Sequence, residues 1–145
     1  MNLVISDGGR AAAGYRGKAG DCVCRAIAIA TCRPYQEVYD ALKALAGEER
    51  ITKRRRRKSS VRDGVRRSTS RKYLAALGWT WTPTMKIGQG CKTHLNEGEL
   101  PMGRLVVSVS KHFVAVIDGV IHDTHDPSRR GTRCVYGYYS KQAAA

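Results

Sequence analysis

The stretch Gly20-Asp21-Cys22-Val23-Cys24-Arg25-Ala26-Ile27-Ala28-Ile29-Ala30 constrains this chain more than any other. A Gly-Asp turn leads straight into small and apolar residues, with Val23, Ala26, Ile27 and Ala30 at helical spacing. So many small side chains make a thin helix that neighbours can approach closely on several sides. A helix over about 22–30 is therefore predicted to be the central one. Cys22 opens its first turn. The free N–H groups and the positive dipole end of a helix stabilise an anion there, so a thiol loses its proton more easily.

The rest of the chain supplies that helix with a setting. Thr31-Cys32-Arg33-Pro34 breaks it, and a second helix is predicted from Tyr35 to about Ala46, with Val38, Leu42 and Leu45 as its stripe and Gly47 as its stop. A third, from about Thr69 to Leu77, turns Tyr73, Leu74 and Leu77 inward. Residues 1–19 read as an irregular lead-in with a short strand at Leu3-Val4-Ile5, and Trp79–Thr82 as a strand stopped by Pro83. After a loop-rich connector over 84–98, strands follow at Arg104–Ser110, Phe113–Ile117, Val120–Asp123 and Val135–Tyr139. Helices first and strands last predict an α+β fold, the nucleophile helix packed on a C-terminal antiparallel sheet, in a single domain over 1–145.

Asp118-Gly119 is a strong signal for a two-residue hairpin turn. Such a turn pairs Ile117 with Val120, Val116 with Ile121, Ala115 with His122 and Val114 with Asp123. Alternation then sets His112, Val114 and Val116 on one face, together with Ile121 and Asp123. His112 and Asp123 become diagonal neighbours, while His122 points the other way and Asp126 lies beyond the ladder. The pattern selects a triad. Cys22 is the nucleophile, His112 the base and Asp123 the acid that orients it, with backbone N–H groups at the helix start receiving the oxyanion. Cys24, on a different helix face, reads as packing, and Cys32 and Cys134 as structural.

Charge is the unusual part of the composition. Lys+Arg 26 against Asp+Glu 12 gives a net charge of +14, which attracts polyanions. Much of the excess lies in a basic loop at about 48–72, containing Lys53, Arg54, Arg55, Arg56, Arg57, Lys58, Arg66 and Arg67. Like charges this dense repel one another, so the loop is predicted to be exposed and at least partly mobile. It is poor in aromatics, so any nucleic-acid binding through it should be phosphate-driven and indifferent to sequence. The competing reading is a solvated basic face.

The five cysteines show no secreted-scaffold pattern, and the N-terminus lacks the basic and apolar regions of a signal peptide. Free thiols in a reducing, cytoplasmic setting are expected, with no membrane partner, since no apolar run is long enough to span a bilayer. Cys91-x-x-His94 and His122-x-x-His125 are each zinc half-sites, but neither contains a Cys-x-x-Cys. No metal and no cofactor is expected.

Gly20-Asp21-Cys22-Val23-Cys24-Arg25-Ala26 resembles the nucleophile motif of papain-fold cysteine peptidases, especially the ovarian-tumour-type deubiquitinases. His112-Phe113-Val114-Ala115-Val116, followed by Asp123, is similar to the histidine and acid strands of bacteriocin-leader peptidases in the same superfamily. The whole chain also resembles small proteins encoded by phages and prophages. The resemblance implies a papain-like thiol hydrolase acting on a peptide or isopeptide bond of a peptide or protein substrate. The alternative, behind it, is a phage-encoded nucleic-acid-binding or host-interaction protein using the Lys53–Lys72 loop on a peptidase-like scaffold, with or without catalysis, and a virion-associated component comes third. One position departs from the pattern. Where papain-type enzymes carry an oxyanion-stabilising Gln about six residues before the nucleophile, this chain has Arg16.

Overall fold

In the computed structural model, which describes residues 1–141, Asp118 and Gly119 both take positive φ, 49° and 78°. Those angles define the hairpin turn whose twist matches its flanking strands. Ile117 faces Val120, Val116 faces Ile121 and Ala115 faces His122, the register that alternation predicts. Around this hairpin the described elements run β1 (Leu3–Ile5), α1 (Cys22–Thr31), α2 (Tyr35–Gly47), α3 (Arg67–Ala76), β2 (Thr80–Pro83), β3 (Arg104–Val109), β4 (His112–Ile117), β5 (Val120–Asp123) and β6 (Val135–Ser140).

The fold is α+β, but the sheet is mixed rather than antiparallel and is not purely C-terminal. Six strands lie in the order β1-β5-β4-β3-β6-β2. The core β5-β4-β3-β6 is antiparallel, as expected. β1 adds in parallel to the outer edge of β5, with Leu3 opposite Ile121 and Ile5 opposite Asp123, and β2 closes the far edge against β6. A three-residue strand has too little periodicity to announce its partner. It is the unpaired edge of β5 that gives it one.

Alternation divides the core in two. Val106, Phe113, Ala115 and Tyr139 face the helices, packing with Val23, Ala26, Ile27 and Ala30 of α1 and with Val38 and Leu42 of α2. Leu105, Val107, Val114, Val116 and Ile121 face the other way, where Leu95 of the connector and Leu100 just beyond it cover them. The connector is thus part of the core, although its glycines read as loop. Each fully buried aliphatic side chain contributes roughly 1.5–3 kcal/mol, so both layers matter to stability.

Two further expectations need correction. Cys32 is exposed; it holds the left-handed position that ends α1, at φ 56°, and supports no core. The basic segment is exposed at Lys53–Lys58 but is clasped at its ends. The Glu49 side chain is buried, accepting hydrogen bonds from Ser59 N–H and Ser59 Oγ and from Thr69 Oγ1, and Arg66 Nε lies 3.4 Å from it. Arg66 also donates to the carbonyls of Arg50 and Arg57, at 2.8 Å each, and Val61 is buried. Arg66 is therefore the clasp of this loop and is not displayed on its surface. Arg67 belongs to α3.

Candidate active site

Cys22 is the first residue of α1, and the turn before it leaves the helix end open. Asp21 occupies the N-cap position, yet its carboxylate caps no backbone N–H. It instead accepts from Tyr35 Oη at 2.6 Å, pairs with Arg25 one turn on, and lies 3.4 Å from Arg10 Nε. A side chain that ordinarily satisfies the first-turn N–H groups is committed elsewhere. Those N–H groups, beside the sulfur, are free to receive an oxyanion.

The other half of the site comes from the hairpin. His112 Nε2 lies 2.6 Å from Asp123 Oδ2, across the diagonal that the register sets. That bond leaves Nδ1 for the thiol, and Cys22 lines the same cleft as His112, close enough for each to shift the other's titration. Asp123 is buried and held on its second oxygen by Thr124 N–H at 2.7 Å, with Arg25 Nη2 at 3.5 Å. Arg25 thus stands between two buried carboxylates, Asp21 in the turn before Cys22 and Asp123 on β5.

Electrostatics follow from these contacts. Burial alone would push the Cys22 thiol up, but hydrogen bonds from His112 and the Phe113 N–H, with the charges of His112 and Arg25, draw it below its ordinary 9.0. Burial works against the charged form of His112 as well. Its bonds to Asp123 and Cys22 prevail and raise it to about 9. Asp123, which burial would raise, is held low chiefly by His112. Both shifts run toward the charged forms, a thiolate beside an imidazolium. Cys24 is the contrast: fully buried, its thiol is pushed up to about 12. It is the inert cysteine that packing predicts.

Cys22 and His112 open on a cleft of about 490 Å³ whose walls include Val65, Arg67, Lys111 and His125. Of the basic residues singled out in the sequence, Arg67 lines this cleft, whereas Lys53–Lys58 and Arg66 do not. Arg16 does not line it either; its carbonyl accepts from Arg10 at 3.1 Å, and its position beside Tyr15 and Tyr39 puts it in a separate hollow. Asp126 turns away from His112 to accept from Ser128 N–H at 2.9 Å. His122 stands opposite Ala115, and burial and Arg104 lower its pKa.

The zinc half-sites do not assemble. Cys91 is bonded to Cys134 in a disulfide, which corrects the expectation that all five thiols are free, and His94 pairs with Glu99 at 3.1 Å. His112, Asp123 and His125 do present donor atoms within 4.8 Å of one another. Two of these already bond each other, and the Arg25 guanidinium beside Asp123 opposes a second cation there. The donor set fits a proton relay better than a metal.

Sequence reasoning missed Arg25, the buried state of Asp21 and the Phe113 N–H. The four-residue spacing of Asp21 and Arg25 was visible, but the same spacing on a surface helix has no consequence. What gives it meaning here is the docking of α1 on β4 and β5.

No family model matches this chain, and no curated protein or solved structure matches it. The fold and site together define an α+β protein in which a helix-start cysteine meets a strand-borne histidine and acid.

Proposed function

We propose that this protein is a papain-like thiol hydrolase that cleaves a peptide or isopeptide bond. The observation that carries the reading is the convergence of Cys22, at an uncapped helix start, with a His112 ring already oriented 2.6 Å from Asp123. The Cys22 thiolate attacks the carbonyl carbon, and the first-turn N–H groups take the developing oxyanion. His112 gives its proton to the leaving amine as the C–N bond breaks, leaving a thioester. A water then attacks that thioester, giving its proton to His112, and the acid departs as the thiolate is restored. Asp123 is a positioning residue throughout, holding the ring and its charge.

The test is a thiol-reactive suicide probe titrated against pH, with each cysteine replaced in turn. Fast labelling at neutral pH that disappears only with Cys22→Ser supports the hydrolase; equal labelling of every accessible thiol refutes it.

A second reading has one observation in its favour, the six consecutive exposed cations Lys53–Lys58. On that reading the chain binds nucleic acid through phosphates, as a phage-encoded or host-interaction protein, with or without catalysis. A cytoplasmic location in a bacterial host goes with either reading. Among the described residues no helix is long and apolar enough to cross a membrane.

A further inference from the structure

A second hollow, about 480 Å³, adjoins the Cys22 cleft, and Arg67 and Phe113 line both. Its floor is the sheet, with Ser108 of β3, Phe113 of β4, Tyr139 of β6 and Trp81 of β2. Its rim is α3, which contributes Arg67, Arg71 and Lys72. Lys72 is shared with Glu48 at 3.5 Å, but among the described residues no carboxylate pairs with Arg67 or Arg71. At the floor, Ser108 is 1% exposed and its hydroxyl has no hydrogen-bond partner. A buried hydroxyl without a partner costs stability unless something supplies the missing bond. Two guanidiniums without a carboxylate partner, resting on the Tyr136 and Trp81 rings above an apolar floor with an orphaned hydroxyl in it, form a site for an anion attached to an apolar body.

Resting on the hydrolase reading, we propose that this hollow is the substrate subsite next to the scissile bond and that it selects acidic peptide segments. An aliphatic side chain of the substrate touches the small exposed parts of Phe113 and Tyr139, too little for a ring to stack on, and a neighbouring Asp or Glu carboxylate meets Arg67 and Arg71 in the forked geometry guanidinium favours. A polar substrate atom seated at the floor satisfies Ser108. A nucleic acid fits less well. Base stacking needs an open aromatic face, and here Trp81 already packs on Tyr139 at 4.8 Å and carries the Arg71 guanidinium at 5.8 Å. Phe113 and Tyr139 are themselves buried, at 7% and 4% exposure.

The experiment measures binding in the Cys22→Ala variant and cleavage in the parent. The binding probes are a fluorescein-labelled Leu- and Glu-containing peptide, the same peptide with Lys for Glu, and a short single-stranded oligonucleotide. The acidic peptide should bind about tenfold or more tighter than the lysine peptide, and Arg71→Glu should abolish or reverse that preference. Replacing Arg54, Arg55, Arg56 and Arg57 with Ser should leave the preference in place, which separates the hollow from the general positive field. Equal binding of the two peptides, or a preference that survives Arg71→Glu, overturns the proposal. So does an oligonucleotide that displaces the acidic peptide and loses its own binding on Arg71→Glu. Cleavage is judged separately: tight, Arg71-dependent binding without cleavage by the parent keeps the acidic subsite and removes the hydrolase.

Discussion

Arg25 bridges Asp21 and Asp123, joining the turn before Cys22 to the carboxylate that meets His112. All three side chains are largely buried, and Arg25 Nε has no partner of its own. The charges at this junction therefore answer to one another more than to water. Asp21→Ala should leave Arg25 under-compensated and destabilise the fold by about 3 kcal/mol, the cost of breaking a buried pair. For a chain of this size that lowers Tm by about 6–12 °C, readable by circular dichroism. A melt unchanged from the parent would mean that Asp21 is solvated and the helix start is differently built.

Cys22 reactivity should depend on pH in a defined way. The Cys22 thiol is drawn below its ordinary 9.0 while His112 is raised to about 9, so both shifts favour the charged pair over the neutral one. Alkylation of Cys22 by iodoacetamide should persist well below pH 8.5 and outpace that of Cys24. His112→Ala should return the profile toward that of an ordinary thiol without unfolding the domain.

The same pair sets a stability window. The folded pKa of His112, about 9, lies above its ordinary 6.5, so its protonated form stabilises the fold fully below pH 6.5. That contribution is lost as pH rises through about 9. The difference in Tm between the parent and His112→Ala should shrink across that interval; a difference that grows would reverse the sign of the coupling.

Asp123→Asn should keep the fold but misplace the His112 proton, lowering turnover by about 10²–10⁴-fold. Asp126→Asn, whose amide oxygen can still accept from Ser128 N–H, should leave turnover near the parent value. Comparable losses in both variants would mean that the hairpin register does not define the acid.

The basic segment should divide into two kinds of arginine. Changing Arg54, Arg55, Arg56 and Arg57 to Ser should alter stability by less than about 0.5 kcal/mol, since these side chains are exposed. It should weaken any nucleic-acid binding and flatten its salt dependence. Arg66→Ala, by contrast, removes the clasp on Glu49 and two loop carbonyls and should cost about 1–3 kcal/mol.

Much of this arrangement was legible because it rests on short-range rules. The two-residue turn at Asp118-Gly119 determines which residues face each other, and parity alone chose Asp123 over Asp126. The small-residue run in α1 marked the central helix for the same reason, as a local demand for close neighbours. What could not be read depended on partners distant in sequence. Nothing in Leu3–Ile5 says that it runs parallel to β5, and nothing around Cys91 says that its sulfur meets Cys134. Arg66 and Arg67 look alike in a run of cations. Only the buried Glu49 on one side and the α3 rim on the other give them different work.

The separation of the site's two halves along the chain has a consequence during synthesis. Cys22 is made early, and its activating base and acid belong to a hairpin that leaves the ribosome much later. Until β4 and β5 dock on α1, the cysteine has neither His112 nor Asp123 near it. The assembled fold thus gates the meeting of these groups: Cys22, His112 and Asp123 stand together only once β4 and β5 have docked on the first helix.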